Sequence, residues 1–579
     1  MSSSLQSLDA QIASVLSDWS ITTTVLALVI AGFLIYPLVF SDEPDTHPLL
    51  LARQGTASAV RNKGESAIYR SPEVPHGYPL KTGLNVKDAG APRWASGKDG
   101  DIRDIWREVQ RGGQNGSDGK EVPKGLIMTV FGKEEVVEHS VEDLSKEIGI
   151  IGQHIKQAGV KKVAIYLPNS VEYLTTIFAS AFYGVTPVLL PFNLPHPKLY
   201  ELLNATGADG LICGAGTVPL DDVPKQAKNI KLLTWVVEKT SRHMDWNGAP
   251  DSAQGRLSVS VWHDVVEENR AKASAELPSN ETGDKPGDVI TVWQPVDPAA
   301  KPEIVSFTQE NVVSAVAALI SAVPPRQRLT PADLVLPADT FTHSYVLCQT
   351  FAALFTHCSL AINSVAVPGV DLNLARRGVA PTVIIASAET LAKLHQQEIG
   401  GISSGLQKFG KYTQDQAMVA GRMPTDGLLF KLIGPSSSGG EPGKLRLILT
   451  SDRLGAGSPP LTSTMLSDLR IFTRARIIYA LTTAKVAGAV AQTNVFDYRR
   501  DDGAAHSHFG IPLSSVEIKV LSPGNDADVG AQEPKGELVV TGPAVAGGEV
   551  KLGVKGRPHG QANLASAPTN SASRLIGQK

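Results

Sequence analysis

Short residue patterns that could carry chemistry are few in this chain, and each lacks something that its chemistry requires. Residues Gly401 to Gly405 match the G-x-S-x-G pattern of a hydrolase nucleophile, which needs a strand before it and a helix after it. The residues before Gly401 instead predict a helix that ends at a glycine cap. His506 and His508 offer ring nitrogens to a metal, but no third ligand lies near them in sequence. We therefore predict a solvated loop there rather than a metal site, and no hydrolase nucleophile.

The composition excludes several classes of function. The 579 residues include 54 Lys and Arg and 57 Asp and Glu, a net charge of −3. So small a charge gives no support to nucleic-acid binding through phosphate neutralisation. Cys213, Cys348 and Cys358 lack the spacing of metal ligands, which argues against a disulfide framework and a structural zinc site.

From Gly125 onward the pattern alternates between strands and helices. The apolar run Val163–Leu167 ends at Pro168 and predicts a buried strand, and Val171–Tyr183 has the apolar spacing of a helix. Further strands are predicted at Val185–Leu190, Leu211–Cys213, Leu334–Leu336, Pro381–Ile385, Leu445–Thr450 and Arg476–Tyr479. This alternation predicts an α/β fold of stacked parallel sheets with flanking helices. Val516–Leu521 and Gly536–Thr541 alternate in polarity and predict a small antiparallel β region.

The first forty residues predict a single membrane-spanning helix. Ile21–Phe40 contains no charged residue, and twenty helical residues rise about 30 Å, enough to cross a bilayer. A cleaved signal peptide and a buried core helix are the alternatives. Residues 1–20 contain no Lys or Arg, and the apolar run is long for a signal peptide. We therefore expect a signal anchor over 21–40.

The orientation of this anchor follows from basic residues on one side only. Arg53, Arg61, Lys63 and Arg70 follow the apolar run, and none precedes it, so the positive-inside rule places the large part of the chain in the cytosol. We expect a single-pass protein of the endoplasmic reticulum membrane. The predicted organisation is a short tail at 1–20, the anchor at 21–40, a membrane-proximal linker at 41–124, a folded domain at 125–548 and a polar, disordered tail at 549–579.

One long segment resembles a known family. Lys161–Pro195, KKVAIYLPNSVEYLTTIFASAFYGVTPVLLPFNLP, resembles the opening of the large domain of adenylate-forming enzymes, which include acyl-CoA synthetases and luciferases. Weaker matches follow in the family's order at Phe341–Tyr345, Pro381–Ile385, Leu445–Thr450, Ala475–Thr483, Phe509–Pro512 and Gly536–Leu538. The resemblance spans about Val141 to Gly548. It implies an AMP-dependent synthetase/ligase-like domain at 125–548 whose relatives join a carboxylate to ATP with the help of Mg²⁺.

The resemblance also places the family's phosphate-binding loop, and here the chain departs from the pattern. The loop consists of Gln294, Pro295, Val296, Asp297, Pro298, Ala299, Ala300, Lys301, Pro302 and Glu303. The family's loop supplies glycine backbone and hydroxyl donors to phosphate oxygens, whereas this loop contains no Gly, Ser or Thr. Prolines remove N–H donors, and Glu303 stands where the family has a lysine.

Other site positions suggested by the resemblance are mixed. His343 matches the histidine that gates the family's acyl pocket, and a hydrogen-bonded histidine at a strand end is the alternative. Tyr479 and Thr482 match nucleotide-contacting positions, and plain core packing is the alternative. Thr483 replaces the glutamate that binds Mg²⁺ in the family. No motif of the family's small C-terminal domain, with its catalytic lysine, follows Gly548. No residue is therefore assigned a catalytic role.

These departures lead to three hypotheses. The first is a membrane-anchored pseudoenzyme that cannot form acyl-adenylates and acts as a lipid- or protein-binding scaffold, with a fatty acyl group as a candidate ligand. The second is an active acyl-CoA or acyl-AMP ligase that uses ATP and Mg²⁺. The third is a regulatory partner of an active ligase.

Overall fold

The computed structural model describes most of the chain. The described residues are 20–39, 43–52, 54–87, 95–114, 121–131, 135–237, 257–279, 283–297, 300–423, 444–500, 506–522, 529–530, 534–559 and 563–565. The chain divides into two compact units, Met1–His47 and Pro48–Lys579.

The described residues form helices and strands along the whole chain. The helices are α1 Ile21–Val39, α2 Pro48–Ala52, α3 Ile102–Arg111, α4 Val141–Gln157, α5 Val171–Phe182, α6 His196–Thr206, α7 Val223–Gln226, α8 Trp262–Arg270, α9 Gln309–Ala322, α10 Ser344–Phe355, α11 Leu372–Ala375, α12 Ala388–Gly400, α13 Gly405–Val419 and α14 Ser463–Thr473. The strands are β1 Thr56–Ala57, β2 Tyr69–Arg70, β3 Ile127–Val130, β4 Val136–His139, β5 Lys162–Tyr166, β6 Thr186–Leu189, β7 Gly210–Gly214, β8 Leu232–Val236, β9 Ser258–Val261, β10 Val289–Trp293, β11 Glu303–Phe307, β12 Leu334–Pro337, β13 Ser359–Ile362, β14 Val383–Ser387, β15 Leu447–Arg453, β16 Arg476–Thr482, β17 Ala491–Gln492, β18 Ile511–Pro512, β19 Glu517–Leu521, β20 Gly536–Thr541, β21 Glu549–His559 and β22 Asn563–Ala565.

Helix α1 forms where the membrane anchor is predicted. The exposed large side chains of its described part are Ile21, Val25, Leu26, Leu28, Val29 and Ile30. The side chains of α1 are described from Ile21 to Gly32. Within the described residues, no helix is both long enough and apolar enough to cross a membrane. The predicted helix is therefore present, and its membrane-spanning role is left without support from the described residues.

The first sheet of the unit Pro48–Lys579 has seven strands in the order β11-β10-β6-β5-β7-β8-β9. Its strands run parallel except for the edge strand β11, which pairs antiparallel with β10 in a hairpin. Strands β5, β6 and β7 confirm the predicted runs, because sequences buried on both faces of a parallel sheet are continuously apolar. Helix α5 begins where the Ser170 hydroxyl accepts a hydrogen bond from the Tyr173 amide (3.1 Å).

The second sheet has nine strands in the order β18-β17-β16-β15-β14-β12-β13-β3-β4. The six central strands, from β16 to β3, are parallel, and β17, β18 and β4 pair antiparallel at the two edges. The sheet contains four of the predicted strands, β12, β14, β15 and β16. In parallel sheets the carboxyl ends of neighbouring strands meet at one edge, where ligand sites form.

The third sheet is antiparallel, with six strands in the order β1-β2-β19-β20-β21-β22. The pairing of β19 with β20 confirms the predicted antiparallel region. The tail predicted to be disordered from Glu549 begins instead with β21, which pairs with β20. The prediction fails there because strand pairing uses backbone groups, and an outer strand can carry charged side chains. Residues 566–579 lie outside the described residues.

The segment 41–124, predicted to be a linker, contributes part of the core. On α3 the side chains of Ile102, Ile105 and Trp106 are buried. The Trp106 ring lies 4.9 Å from that of Phe178 on α5, and its Nε1 donates to Ser145 Oγ (3.1 Å). Three large apolar residues on one face are enough to dock this helix, although charged residues surround them in the sequence. Part of the segment predicted to be a linker, α3, therefore packs into the core of the domain.

Helix α5 of the first sheet and helix α10 of the second sheet pack against each other. Each follows a parallel strand, and nearly all of its residues are buried. The rings of Phe178 on α5 and Phe351 on α10 lie 5.5 Å apart, and those of Tyr173 and Phe341 lie 5.6 Å apart. Aromatic contacts at this separation add to the apolar burial. The two halves of the domain therefore share one core.

Candidate functional site

The carboxyl ends of β12, β14, β15 and β16 bring polar side chains together at one edge of the second sheet. Asp339 follows β12, and Asp452 and Arg453 end β15. Glu389 lies in the first turn of α12, directly after β14. Tyr479 lies in β16 opposite Thr450 of β15. Topology alone therefore gathers charged and hydroxyl groups from four strand ends at one place.

A buried ion pair lies at the centre of this edge. The guanidinium of Arg453 pairs with Asp339 Oδ2, and both side chains are almost fully buried. Burial by itself would raise the pKa of Asp339, but Arg453 and His343 outweigh it and hold that pKa well below its ordinary value. The Asn169 amide fixes the turn after β12, since it donates to the Asp339 carbonyl (2.8 Å) and accepts from the Phe341 amide (2.9 Å).

His343 adjoins this pair at the start of α10. Its Nδ1 lies 3.5 Å from Asp339 Oδ1, which is long for a hydrogen bond. Burial, followed by the charge of Arg453, lowers the pKa of His343. The neutral imidazole is therefore favoured, and His343 lies after β12, at the start of α10.

Tyr479 and Thr482 are engaged within a second cluster, around Asp452. The Tyr479 hydroxyl donates to Asp452 Oδ2 (3.0 Å), and Thr482 Oγ1 donates to the Asp452 carbonyl (2.8 Å). Burial, together with the Asp452 charge, raises the pKa of Tyr479 well above its ordinary value. The Tyr479 ring also packs against Phe509 at 4.9 Å. Both residues therefore hydrogen-bond to the protein itself at the predicted site.

His506 joins this cluster, which the sequence did not predict. Its Nδ1 lies 3.6 Å from Asp452 Oδ2. His508 points elsewhere, with Nε2 3.5 Å from Asp497 Oδ2. Among the residues that the structure describes, no group of three or more His, Cys, Asp or Glu side chains is placed to hold a metal. The sequence signals for His506 were its pairing with His508 and its place just before the matched segment at Phe509.

The predicted phosphate loop connects β10 and β11 and reaches the same edge. Trp293 and Glu303 pair across the hairpin, and the Val296 amide donates to the carbonyl of Gly455, just beyond β15 (3.1 Å). Inside the loop, the Ala300 amide donates to the Asp297 carbonyl (3.0 Å). Pro298 and Ala299 lie outside the described residues. The loop is thus positioned beside the strand ends that carry the other candidate residues.

Glu303 forms an ion pair with Lys485, a residue that the sequence did not single out. The Lys485 Nζ lies 3.0 Å from Glu303 Oε1, and both side chains are about half exposed. Lys485 follows β16, so this contact links the phosphate loop to the strand that carries Tyr479 and Thr482. Two cations at this edge, Arg453 and Lys485, therefore each have a carboxylate partner, whereas Lys301 of the loop is exposed.

The carboxylates at this edge outnumber the cations. The carboxylates are Asp339, Asp452, Glu389, Asp297 and Glu303, and the cations are Arg453, Lys485 and Lys301. Glu389 Oε1 accepts a long hydrogen bond from Ser458 Oγ (3.4 Å), and its Oε2 is buried without a hydrogen-bond partner among the described residues. An edge with excess negative charge disfavours polyanions and favours cations or neutral ligands.

Comparisons with known proteins identify the fold and the family. Over 187 residues the chain is 28% identical to an uncharacterized protein of Saccharomyces cerevisiae, a match covering 31% of this chain and 30% of that protein. Over 194 residues it is 26% identical to the long-chain-fatty-acid–CoA ligase FadD13 of Mycobacterium tuberculosis, a match covering 33% of each. The chain thus spans about a third of the length of these curated relatives.

Solved structures agree with this result. The structure of a long-chain-fatty-acid-CoA ligase, FadD1 from Archaeoglobus fulgidus, superimposes with a TM-score of 0.57 at 13% identity, covering 86% of this chain and 88% of that one. This likeness shows the α/β fold of adenylate-forming ligases. Residues 121–548 match the family described as AMP-binding enzyme, close to the predicted domain at 125–548. The chain therefore belongs to the AMP-binding enzyme family.

Proposed function

We propose that this protein does not form acyl-adenylates and acts as a membrane-associated, lipid- or protein-binding member of its family. One observation supports this most directly: at the candidate site, Arg453 and Lys485 are each paired with a carboxylate of the protein. Adenylate formation from ATP needs positive charge and N–H donors around the phosphates. Here an incoming triphosphate would compete with Asp339 for Arg453 and with Glu303 for Lys485.

The site residues do not fit Mg·ATP in two further respects. The Tyr479 hydroxyl already donates its hydrogen bond to the buried Asp452, next to the predicted phosphate loop. It therefore has no second proton to donate to a nucleotide. Thr483 stands where the resemblance implies a Mg²⁺-binding glutamate. We therefore derive no catalytic step through ATP or Mg²⁺.

Thermal unfolding with and without Mg·ATP tests this proposal. A ligand at 100 times its Kd adds about 2.7 kcal/mol to the free energy of unfolding, which is measurable for the unit Pro48–Lys579. We expect no shift with this chain and a clear shift with FadD13 measured in parallel. A shift with this chain, followed by pyrophosphate release with fatty acids, would favour the alternative of an active acyl-CoA or acyl-AMP ligase.

We further propose that residues 21–40 attach the protein to the endoplasmic reticulum membrane with the large domain in the cytosol. The uncharged run Ile21–Phe40 and the exposed apolar side chains of α1 support this attachment. We expect the full chain to resist alkaline carbonate extraction. We also expect glycosylation of an acceptor added before residue 20, and none at Asn115, which begins a natural Asn-Gly-Ser acceptor sequence. Release by carbonate would contradict it.

A regulatory role beside an active ligase remains the third proposal. Its support is the family membership of residues 121–548 together with the paired charges at the site. Co-purification of the full chain with a full-length ligase from its own cell is expected under this proposal. A scaffold that binds lipid alone would purify without that ligase.

A further inference from the structure

The outer face of α13 carries large apolar side chains that no described residue covers. Leu406, Phe409, Tyr412 and Val419 are each 59–67% exposed. The first three follow one another at intervals of three residues, which places them on neighbouring turns of one side of the helix. The opposite side is already packed, because Met418 is buried in a cluster with Ile471, Phe472 and Tyr498.

Exposed apolar side chains also occur on α11 and α12. Leu374 on α11 is 51% exposed, and Ile399, at the end of α12, is 41% exposed. Asp371 caps α11, and its other carboxylate oxygen accepts from Gln397 of α12 (3.5 Å). We call Leu406, Phe409, Tyr412 and Val419, all on α13, the apolar face.

Among the described residues 371–422, the fully exposed charged side chains are all cationic. Within residues 371–422 the exposed charged side chains are Arg377, Lys393 and Lys408. The four carboxylates of this stretch are Asp371, Glu389, Glu398 and Asp415, and all are at least partly buried. Asp415, for example, is held by Lys411 and Arg500. A partner surface therefore meets positive charge beside the apolar side chains.

We propose that the apolar face docks on a bilayer that contains anionic phospholipids. Aromatic and aliphatic side chains on one face of a helix, bordered by basic residues, are typical of helices that lie in the membrane interface. A negatively charged lipid surface would attract Arg377, Lys393 and Lys408. Within residues 371–422 it would meet no fully exposed carboxylate. This docking rests on α11–α13 and is independent of both the nucleotide proposal and helix α1.

The three native cysteines make a site-specific test practical. Cys213, Cys348 and Cys358 are all buried, and burial raises the pKa of each thiol to about 12, so they resist alkylation. In the full chain, Phe409→Cys is labelled with an environment-sensitive fluorophore. Glu201→Cys, an exposed position on α6, is the matched control. Vesicles of phosphatidylcholine are compared with vesicles that also contain phosphatidylserine.

Docking predicts a blue shift and at least a doubling of fluorescence at position 409 with phosphatidylserine, and no change at position 201. A probe at 409 that does not respond to vesicles, or responds equally to both lipids, would overturn the proposal. A probe that is already blue-shifted without vesicles would mean that another part of the protein covers the face, which also overturns it.

A charge-reversal variant checks the role of the basic border. The triple variant combines Arg377→Glu, Lys393→Glu and Lys408→Glu. We expect its affinity for vesicles with phosphatidylserine to fall by about 100-fold, because each basic residue near an anionic membrane raises the affinity by about fivefold. All three side chains are exposed, so the far-ultraviolet circular dichroism and the melting temperature should stay unchanged. An unaltered lipid response in this folded variant would refute the electrostatic part of the proposal.

Discussion

Glu147 on α4 offers a sharp test of the electrostatics of the first half of the domain. Burial raises its pKa to about 7 from an ordinary value of 4.5, and the carboxylates of Glu172 and Asp143 push in the same direction. Arg270 opposes them but is itself engaged with Asp143 at 3.0 Å. At neutral pH the folded protein therefore holds a carboxyl group that resists ionisation.

The raised pKa of Glu147 makes the folded protein less stable as the pH rises. Between pH 4.5 and about 7 the unfolded chain has ionised Glu147 while the folded chain keeps it protonated. The folded state binds more protons there, so the contribution of Glu147 to stability falls as the pH rises and is lowest above pH 7. The shift corresponds to about 3 kcal/mol if the carboxyl is fully shielded, and partial solvent contact reduces this to about 2 kcal/mol.

Replacement of Glu147 by glutamine should therefore stabilise the protein at pH 8 by about 2 kcal/mol and have little effect at pH 5. Denaturant unfolding of the variant and the parent at both pH values measures this difference. The control is Glu142→Gln on the same helix, whose carboxylate is 67% exposed and pairs with Lys146. That change should alter stability by less than about 0.5 kcal/mol at either pH. An effect of Glu147→Gln that is the same at pH 5 and pH 8 would refute the reasoning.

Three further changes probe the site and the core. Arg453→Met leaves the buried Asp339 carboxylate unpaired and should lower the free energy of unfolding by about 3–5 kcal/mol, part of which Asp339→Asn should restore in the double variant. His343→Gln should reduce the stability that the protein loses below pH 6.5, because the lowered pKa of His343 makes its protonation unfavourable in the folded state. Melting temperatures of the variant and the parent, measured across this pH range, test this. Trp106→Ala removes the ring that docks α3 and should lower the free energy of unfolding by about 3–5 kcal/mol in denaturant titrations, whereas an unchanged midpoint would mean that α3 is not part of the core.

The parallel strands were predictable from sequence because each is a short, continuous apolar run. Strands β5, β12 and β16 begin within one residue of their predicted positions. Helix α3 was missed for the opposite reason, since its buried residues are spaced among charged ones and its partners, such as Phe178, are remote in sequence. Local patterns do not record which distant surface a weakly apolar helix meets.

The candidate site was predictable in part. The resemblance singled out His343, Tyr479 and Thr482, and the structure brings them to one edge of the second sheet because strand order fixes where strand ends meet. It did not reveal that Lys485 would pair with Glu303, or that His506 would approach Asp452. Those pairings depend on loop paths after the strands, which no periodicity encodes.

The third sheet has a consequence for how the protein is made. Strands β1 and β2 lie near the start of the folded unit, yet Arg70 bonds to Glu517 (2.7 Å) and Lys519 to Glu65 (2.9 Å), across 447 and 454 residues. A ribosome adding about 5–20 residues per second needs roughly 20–90 s to synthesise that interval. During this time the N-terminal hairpin has no partner strand to pair with. The first strands can therefore be secured only after the ribosome has synthesised β19, their partner in the sheet.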